Sequence, residues 1–163
     1  MRTKRNLHRP TEKGQSLVEL ALSLTFILIL LAGTVYFGIG LFYYIAMRDA
    51  AQEGAVYASM NPPAASDDCL SPSGAALQEL CDRVRTTAGS SGLVQVLYDS
   101  APENVDVILS GAACEGSTVT VDFTHEYSLA WLPIGAFIEP FIGSDAIMLR
   151  ATVTDVILSP PCP

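Results

Sequence analysis

The sequence predicts an α+β protein, in which a long N-terminal transmembrane helix extends outside the membrane and precedes a small antiparallel β-sheet domain with one packed helix. Three observations support this prediction. No residue from Leu20 to Met47 carries a charge. Pro62 and Pro63 stop the helical pattern just after Met60. From Leu93 onward the chain is rich in β-branched residues, and in Ser117–Tyr127 apolar residues alternate with polar ones, which is typical of a sheet with one face in water.

The uncharged run is long enough to cross a bilayer. A helix from Leu20 to Met47 would be about 42 Å long, whereas a hydrocarbon core is roughly 30 Å thick. The aromatic residues 42–44 are expected in the outer headgroup region, because rings with a polar tip favour that layer. Residues 20–41 are then expected to cover the hydrocarbon core. Good helix formers dominate from Ala46 to Met60, so the helix should extend beyond the membrane.

Charge is divided unevenly about this helix, in a chain of net charge −8. More than half of the bases precede Gly14; they are Arg2, Lys4, Arg5, Arg9 and Lys13. Every carboxylate except Glu12 and Glu19 follows Met47. Because short positive flanks stay in the cytoplasm, we expect the N-terminus inside and the C-terminus outside. The acidic outer part argues against nucleic acid as a partner.

The chain is therefore expected to have three parts. Residues 1–14 form a basic cytoplasmic leader, residues 15–60 the transmembrane and extended helix, and residues 61–163 an extracytoplasmic α+β domain. About a hundred residues are enough for one small domain but not for two. A cleaved secretory signal fits poorly, because the apolar segment is about twice as long as usual. An uncleaved signal anchor remains the alternative.

The residues just before the apolar run form a second pattern. Gly14 and Gln15 are followed by Ser16, Leu17, Val18 and then Glu19, and this order resembles the class III signal that prepilin peptidases cut. Cleavage would fall between Gly14 and Gln15. A lone carboxylate at Glu19 among packed apolar helices is costly, and a cation beside it offsets much of that cost. A compatible hypothesis is a capping box, with Ser16 as N-cap and Glu19 at N3.

One face of the predicted helix extension carries only small side chains. Ala46, Ala50, Gly54 and Ala58 recur every four residues. Such a stripe allows another helix, or the chain's own domain, to approach closely. An alanine-rich helix without a partner is the alternative.

The remaining chain predicts one helix and several strands. We expect a helix from Gly74 to Ala88, with Ser73 as a possible N-cap and Gly89 as a stop. The apolar segment Trp131–Gly143 is expected to cover the sheet's core, with the membrane surface or a neighbouring subunit as alternatives. The expected strands are Leu93–Tyr98, Val105–Leu109, Ser117–Tyr127 and Ala146–Leu158.

The four cysteines, Cys69, Cys81, Cys114 and Cys162, all follow the helix. On the outer side of a membrane they can be oxidised, and two disulfides are expected. If the last two strands pair antiparallel, Cys162 comes near Cys114 and leaves Cys69 to meet Cys81. This pairing is favoured, although four cysteines allow three connectivities and the sequence leaves all of them open.

Three stretches together resemble the TadE-like pseudopilin family. They are Gly14–Leu22, Arg48–Ala58 and the strand, Leu-Pro loop and strand from Val119 to Thr154. The resemblance implies a minor pilin of a tight-adherence (Flp-type) pilus that acts in pilus assembly, adhesion or secretion. Leu20 stands where the family often has an aromatic residue.

The family's processing motif falls on Gly14, Gln15 and Glu19. By this resemblance Gln15 begins the mature chain, and Glu19 pairs with the N-terminal amine of a neighbouring subunit. The implied partners are the membrane, a prepilin peptidase, other pilin subunits and pilus assembly proteins. The implied location is the cytoplasmic membrane of a bacterium or archaeon, with possible incorporation into an extracellular pilus.

We expect no enzymatic activity. The two histidines, His8 and His125, do not form a multi-histidine metal site, and no GxSxG, HExxH or P-loop pattern occurs. No catalytic residue, metal site or cofactor is therefore expected. The alternatives to a minor pilin are an uncleaved single-pass anchor that displays a binding domain and a major pilus subunit. Major subunits of this pilus type tend to be much shorter.

Overall fold

A computed structural model of the chain describes residues 13–89, 104–128, 143 and 146–162. It confirms the predicted α+β class. The helices and strands in chain order are α1 (Lys13–Met60), β1 (Asp67–Asp68), α2 (Ala75–Ala88), β2 (Val105–Ser110), β3 (Thr118–Ser128) and β4 (Ala146–Val156). The predicted leader up to residue 12, the predicted strand Leu93–Tyr98 and nearly all of the apolar segment Trp131–Gly143 lie outside the described residues.

The chain divides into two compact units, residues 1–38 and residues 39–163. The division falls inside α1, so residues 39–60 of the helix group with the C-terminal residues. Buried residues between Met47 and Ala58 supply part of the second unit's hydrophobic core.

The described part of the first unit is the N-terminal half of α1, and its large apolar side chains are bare. Leu17 is 68% exposed and Phe37 is 74% exposed. The hydroxyls of Thr25 and Thr34 donate hydrogen bonds to backbone carbonyls four residues earlier, at 2.8 and 2.9 Å. α1 has an 18-residue window of mean hydropathy 2.3, none of it buried, and is long and apolar enough to cross a membrane. This finding fits membrane anchoring.

The second unit is built on a four-stranded sheet in the order β1-β2-β3-β4, in which every neighbouring pair is antiparallel. Side chains alternate between two faces, as the sequence predicted for β3. The register places Val107 opposite Val121 and Phe123 opposite Ala151, and all four are buried. The inner face of the sheet is thus a continuous apolar layer.

The C-terminal half of α1 packs in this core through small side chains. Ala50, Ala51, Ala55 and Ala58 are fully buried. A Cβ atom added to Gly54 would lie 2.5 Å from a methyl carbon of Val84, a valine of α2. The small-residue stripe therefore receives the chain's own domain, which is one of the two partners that the sequence allowed.

The helix α2 covers the same core with Leu77, Leu80, Val84 and Ala88, all fully buried. These residues lie on the face that the sequence predicted. The predicted cap at Ser73 is wrong, because Gly74 is the N-cap and no side chain caps the helix. The Ser73 amide donates instead to the Asp67 carboxylate at 3.3 Å. Gly89 follows the last residue of α2 and donates to the Arg85 carbonyl at 3.1 Å, which confirms the predicted stop.

Candidate functional site

The first candidate site is the motif at the start of α1. Gly14, Gln15 and Glu19 are exposed, and a Cβ at Gly14 would meet no atom within 4 Å. With Val18 and Leu22 these residues line a shallow, open depression on the helix surface. Within the described ranges, Glu19 makes no ion pair. Its carboxylate is therefore accessible to a cation from outside the chain.

The predicted capping box at this motif is wrong for the full chain. α1 begins at Lys13, so Ser16 lies inside the helix and not at its N-cap. Lys13, Gly14 and Gln15 are already helical and precede Ser16, so Ser16 does not have the position of an N-cap. The exposed carboxylate of Glu19 is thus not engaged in the predicted reciprocal cap.

Two disulfides hold the loops of the second unit. Cys69 bonds to Cys81 with the Cα atoms 5.5 Å apart, and Cys114 bonds to Cys162 with the Cα atoms 5.0 Å apart. Both separations lie in the usual range for disulfides. This is the pairing that the sequence favoured. The first bond joins the loop after β1 to α2, and the second joins the β2–β3 connection to the C-terminal segment.

Backbone hydrogen bonds fix that C-terminal segment further. The Leu158 amide donates to the Ser59 carbonyl near the end of α1, at 2.8 Å. The Glu115 amide donates to the Pro160 carbonyl at 2.8 Å, and Ile157 is fully buried. The end of the chain thus connects α1 to the turn before β3.

The outer face of the sheet carries an ion pair that the sequence analysis missed. Asp122 of β3 is buried, and Arg150 of β4 lies over it with its Nε 2.9 Å from each carboxylate oxygen. The Arg150 Nη2 also contacts this carboxylate, and the Thr152 hydroxyl donates to it at 3.1 Å. Hydrogen bonding from Arg150, ahead of that from Thr152, holds the pKa of Asp122 below its usual value. The cluster is a closed structural pair, because both carboxylate oxygens are occupied.

An aromatic cluster joins α1 to the end of β3. Tyr43 stacks on His125 with the ring centroids 5.6 Å apart, and Tyr127 lies 5.6 Å from Tyr43 at a tilt. The Tyr127 ring is 3.6 Å from the position of a Cβ on Gly40. Because Gly40 has no side chain, it permits the close approach of the end of β3 to the helix. Burial lowers the pKa of His125, which favours the neutral imidazole.

In the part of the chain that the structure describes, the fold and these contacts define a class of protein: one membrane-length apolar helix whose C-terminal half packs into the core of a small α+β domain with two disulfides. Within this class, residues 14–56 match the model of the family described as TadE-like protein. The match confirms the resemblance seen in the sequence and covers the motif from Gly14 to Glu19. Comparison with curated proteins and with solved structures found no match.

Proposed function

We propose that this chain is a minor pilin of a tight-adherence pilus, anchored by α1 and processed by a prepilin peptidase. The observation that carries the proposal is the position of Gly14, Gln15 and Glu19. They are exposed at the start of a bare apolar helix, inside the segment that matches the TadE-like family. A role in pilus assembly and adhesion, with other pilin subunits as partners, follows from the family resemblance.

The exposure of Gly14 supports cleavage after this residue. A peptidase needs access to the peptide bond between Gly14 and Gln15, and no side chain at Gly14 blocks it. The bond lies two residues from the start of α1. Only the first turn has to unwind for the bond to become extended, and helix ends fray easily. The first turn is thus the least costly place in the helix to cut.

Cleavage would create a new cation beside the motif's acid. The Gln15 amine of the processed chain is four residues from Glu19, so the two groups lie about one helical turn apart. The amine of a neighbouring subunit can approach the same exposed carboxylate. A paired carboxylate is much less costly in an apolar environment than a lone one, so we propose that Glu19 selects subunits that present a free amine.

Charge and cysteine chemistry support an orientation with the N-terminus inside. Five of the nine basic residues precede Gly14, and basic flanks stay in the cytoplasm. Both disulfides lie after Met60, and disulfides persist in oxidising compartments outside the cytoplasm. The role proposed for the domain is structural and not enzymatic.

The test is the N-terminal sequence of the protein recovered from native membranes. The wild type is expected to begin at Gln15, whereas a Gly14→Ala variant is expected to retain its leader. A Ser16→Ala variant is the matched control, because Ser16 is equally exposed and lies on the other side of the bond. It is expected to be cleaved normally. A wild-type protein that still begins at Met1 would overturn processing and leave an uncleaved single-pass anchor.

A second measurement distinguishes a minor pilin from a major subunit. The domain after Met60 contains a four-stranded sheet, a helix and two disulfides, which is large for a subunit that builds a thin filament. We expect the protein to be a small fraction of the subunits in sheared filaments. If it were the most abundant subunit, the minor-pilin proposal would be wrong and the chain would form the shaft. Loss of surface attachment in a strain that lacks the protein would test the adhesion role.

A further inference from the structure

The second unit has an apolar end where the sheet meets α1. Tyr127 of β3 lies against Gly40, and Tyr43 stacks on His125, so this end is at the level of residues 40–45 of the helix. Exposed apolar side chains gather at that level on α1. They are Leu41, Phe42, Tyr44 and Ile45.

The register of β4 places two more exposed apolar residues at the same end. Ile147 pairs with Tyr127, and Met148 pairs with Glu126. Ile147 is 41% exposed and Met148 is 64% exposed. Paired residues on neighbouring strands lie within roughly 6 Å of each other, so Ile147 and Met148 lie close to the level of Gly40.

One side of α1 forms a groove with β4 next to these exposed apolar residues. Arg48, Gln52 and Val56 line an open groove together with Thr152–Asp155 of β4. Tyr44 is one turn before Arg48 on the same helical stripe.

We propose that this apolar end, the membrane rim (Tyr44, Ile45, Tyr127, Ile147 and Met148), rests in the headgroup layer of the bilayer that α1 spans. The proposal rests on the anchoring part of the proposed function. The uncharged run of the chain covers the hydrocarbon core with residues 20–41, so residues 42–45 fall in the outer headgroup layer. The rim is at that level, and its two tyrosines, Tyr44 and Tyr127, are side chains which that layer favours.

Charged groups near the rim limit its depth to the headgroup layer. Glu126 is exposed and lies opposite Met148, and a carboxylate in hydrocarbon is costly. Arg48 is exposed and, in the part of the chain that the structure describes, makes no ion pair. It lies one turn from Tyr44, within reach of lipid phosphates for a long, flexible side chain. The apolar rim residues thus lie nearer the acyl chains, and the Arg48 cation lies nearer the lipid phosphates, in the order in which a bilayer presents these groups.

The test uses tryptophan fluorescence of the full chain in vesicles of phosphatidylcholine and phosphatidylglycerol whose acyl chains are brominated near the headgroup. The one native tryptophan is removed by Trp131→Phe. A single tryptophan is then placed by Met148→Trp, by Val156→Trp as the matched control, or by Phe26→Trp as the test of insertion. Met148 and Val156 are exposed apolar residues on one face of β4, about 27 Å apart along the strand.

We expect bromine to quench Met148→Trp at least about threefold more than Val156→Trp, because only the former would lie within a headgroup layer of roughly 5–8 Å. Phe26→Trp is expected to be quenched as well. Equal, weak quenching at positions 148 and 156 with strong quenching at 26 would overturn the rim and leave the anchor standing. If Phe26→Trp also escaped quenching, the anchoring would fail and the rim with it. Shielding of Met148→Trp from both lipid and aqueous iodide would assign this end to a neighbouring subunit and overturn the proposal.

Discussion

The apolar residues in the two halves of α1 differ in side-chain size and in exposure. The N-terminal half carries large side chains such as Leu17, Phe26 and Phe37, each more than 60% exposed. The C-terminal half carries alanines and a glycine that are fully enclosed, with Ala50 and Ala55 at 0% exposure. Exposure of large apolar side chains to water is costly, so the N-terminal half fits membrane anchoring. Small ones allow close approach of a sheet and a second helix.

Helix boundaries alone do not separate these halves, because α1 runs from Lys13 to Met60 without a break. Charge separates them, since Arg48, Asp49 and Glu53 follow the uncharged run. Side-chain volume also separates them: leucine, isoleucine and phenylalanine dominate up to about Phe42, and alanine dominates from Ala46. The change from large to small apolar residues therefore coincides with the change from an exposed helix to one that is packed in a protein core.

The largest expected effect is a loss of stability in the domain that contains the C-terminal half of α1, with no effect on the N-terminal half. Replacing Cys114 and Cys162 by serine opens a loop of 48 residues and should destabilise the domain by about 4 kcal/mol in the chain-entropy model. Replacing Cys69 and Cys81, which close a loop of 12 residues, should cost about 3 kcal/mol. Denaturant unfolding followed by near-ultraviolet circular dichroism measures both. Neither double variant should be extracted from membranes by alkaline carbonate more readily than the wild type. A loss of membrane retention would contradict the idea that the N-terminal half of α1 anchors the protein independently of the domain.

The second prediction breaks the N-terminal half. Phe26→Arg places a charge in the apolar run and should disfavour membrane insertion by about 3 kcal/mol. Val56→Arg is the control, because Val56 is exposed on the C-terminal half and outside the predicted hydrocarbon region. Carbonate extraction should release the first variant and retain the second. Equal release of both variants would show that the two halves share one environment.

The third prediction compares substitutions at Gly54 and Gly38, which lie in opposite halves of α1. Gly54→Ala places a Cβ 2.5 Å from the Val84 side chain, and valine is too stiff to move aside easily. Overpacking should outweigh the gain in helix propensity and destabilise the domain by about 1–2 kcal/mol. Gly38→Ala meets no atom within 4 Å and should not destabilise the domain. The midpoint of denaturant unfolding measures both, and a stable Gly54→Ala variant would refute the close packing of α1.

The smallest effect concerns the pH dependence of the domain. The pKa of Asp122 is lowered by Arg150 in the folded state. The folded state therefore releases this proton more readily than the unfolded state, in which an aspartate has a pKa of about 3.9. The pair's contribution to stability is present above that pH and decreases as the pH falls toward the folded-state pKa.

An Asp122→Asn variant measures this contribution. The variant should be less stable than the wild type at pH 7. This difference in stability should become smaller as the pH falls below about 4. Unfolding midpoints across pH 2–7 supply the comparison. A gap that does not change with pH would mean that packing, and not the charge of Asp122, stabilises this part of the sheet.

Regular periodicity made most of the fold predictable. The buried face of α2, with Leu77, Leu80 and Val84, repeats at helical spacing, and the alternation of β3 marks its inner face. The small stripe on α1 predicted close packing, but two partners fitted it. Only the structure shows that Gly54 faces Val84 of the same chain.

Features that depend on contacts between distant residues were not predictable. The pair Asp122–Arg150 joins residues 28 positions apart, and no local pattern links them. Ser73 has the usual type for an N-cap, but its amide binds Asp67 and the helix begins one residue later. The two-residue strand β1 is too short to have a periodicity, and it forms because β2 offers an edge.

The burial of Met47, Ala50, Ala51, Ala55 and Ala58 also determines how the domain can carry mechanical load. If a pulling force acts along α1, the helix cannot leave the domain without sliding its enclosed alanines past the sheet and α2. The bond from the Leu158 amide to the Ser59 carbonyl adds to this resistance at the far end of the helix. Such contacts bear tension in shear, where many of them must break together. A domain attached only through the peptide link after Met60 would instead hang from a single flexible point.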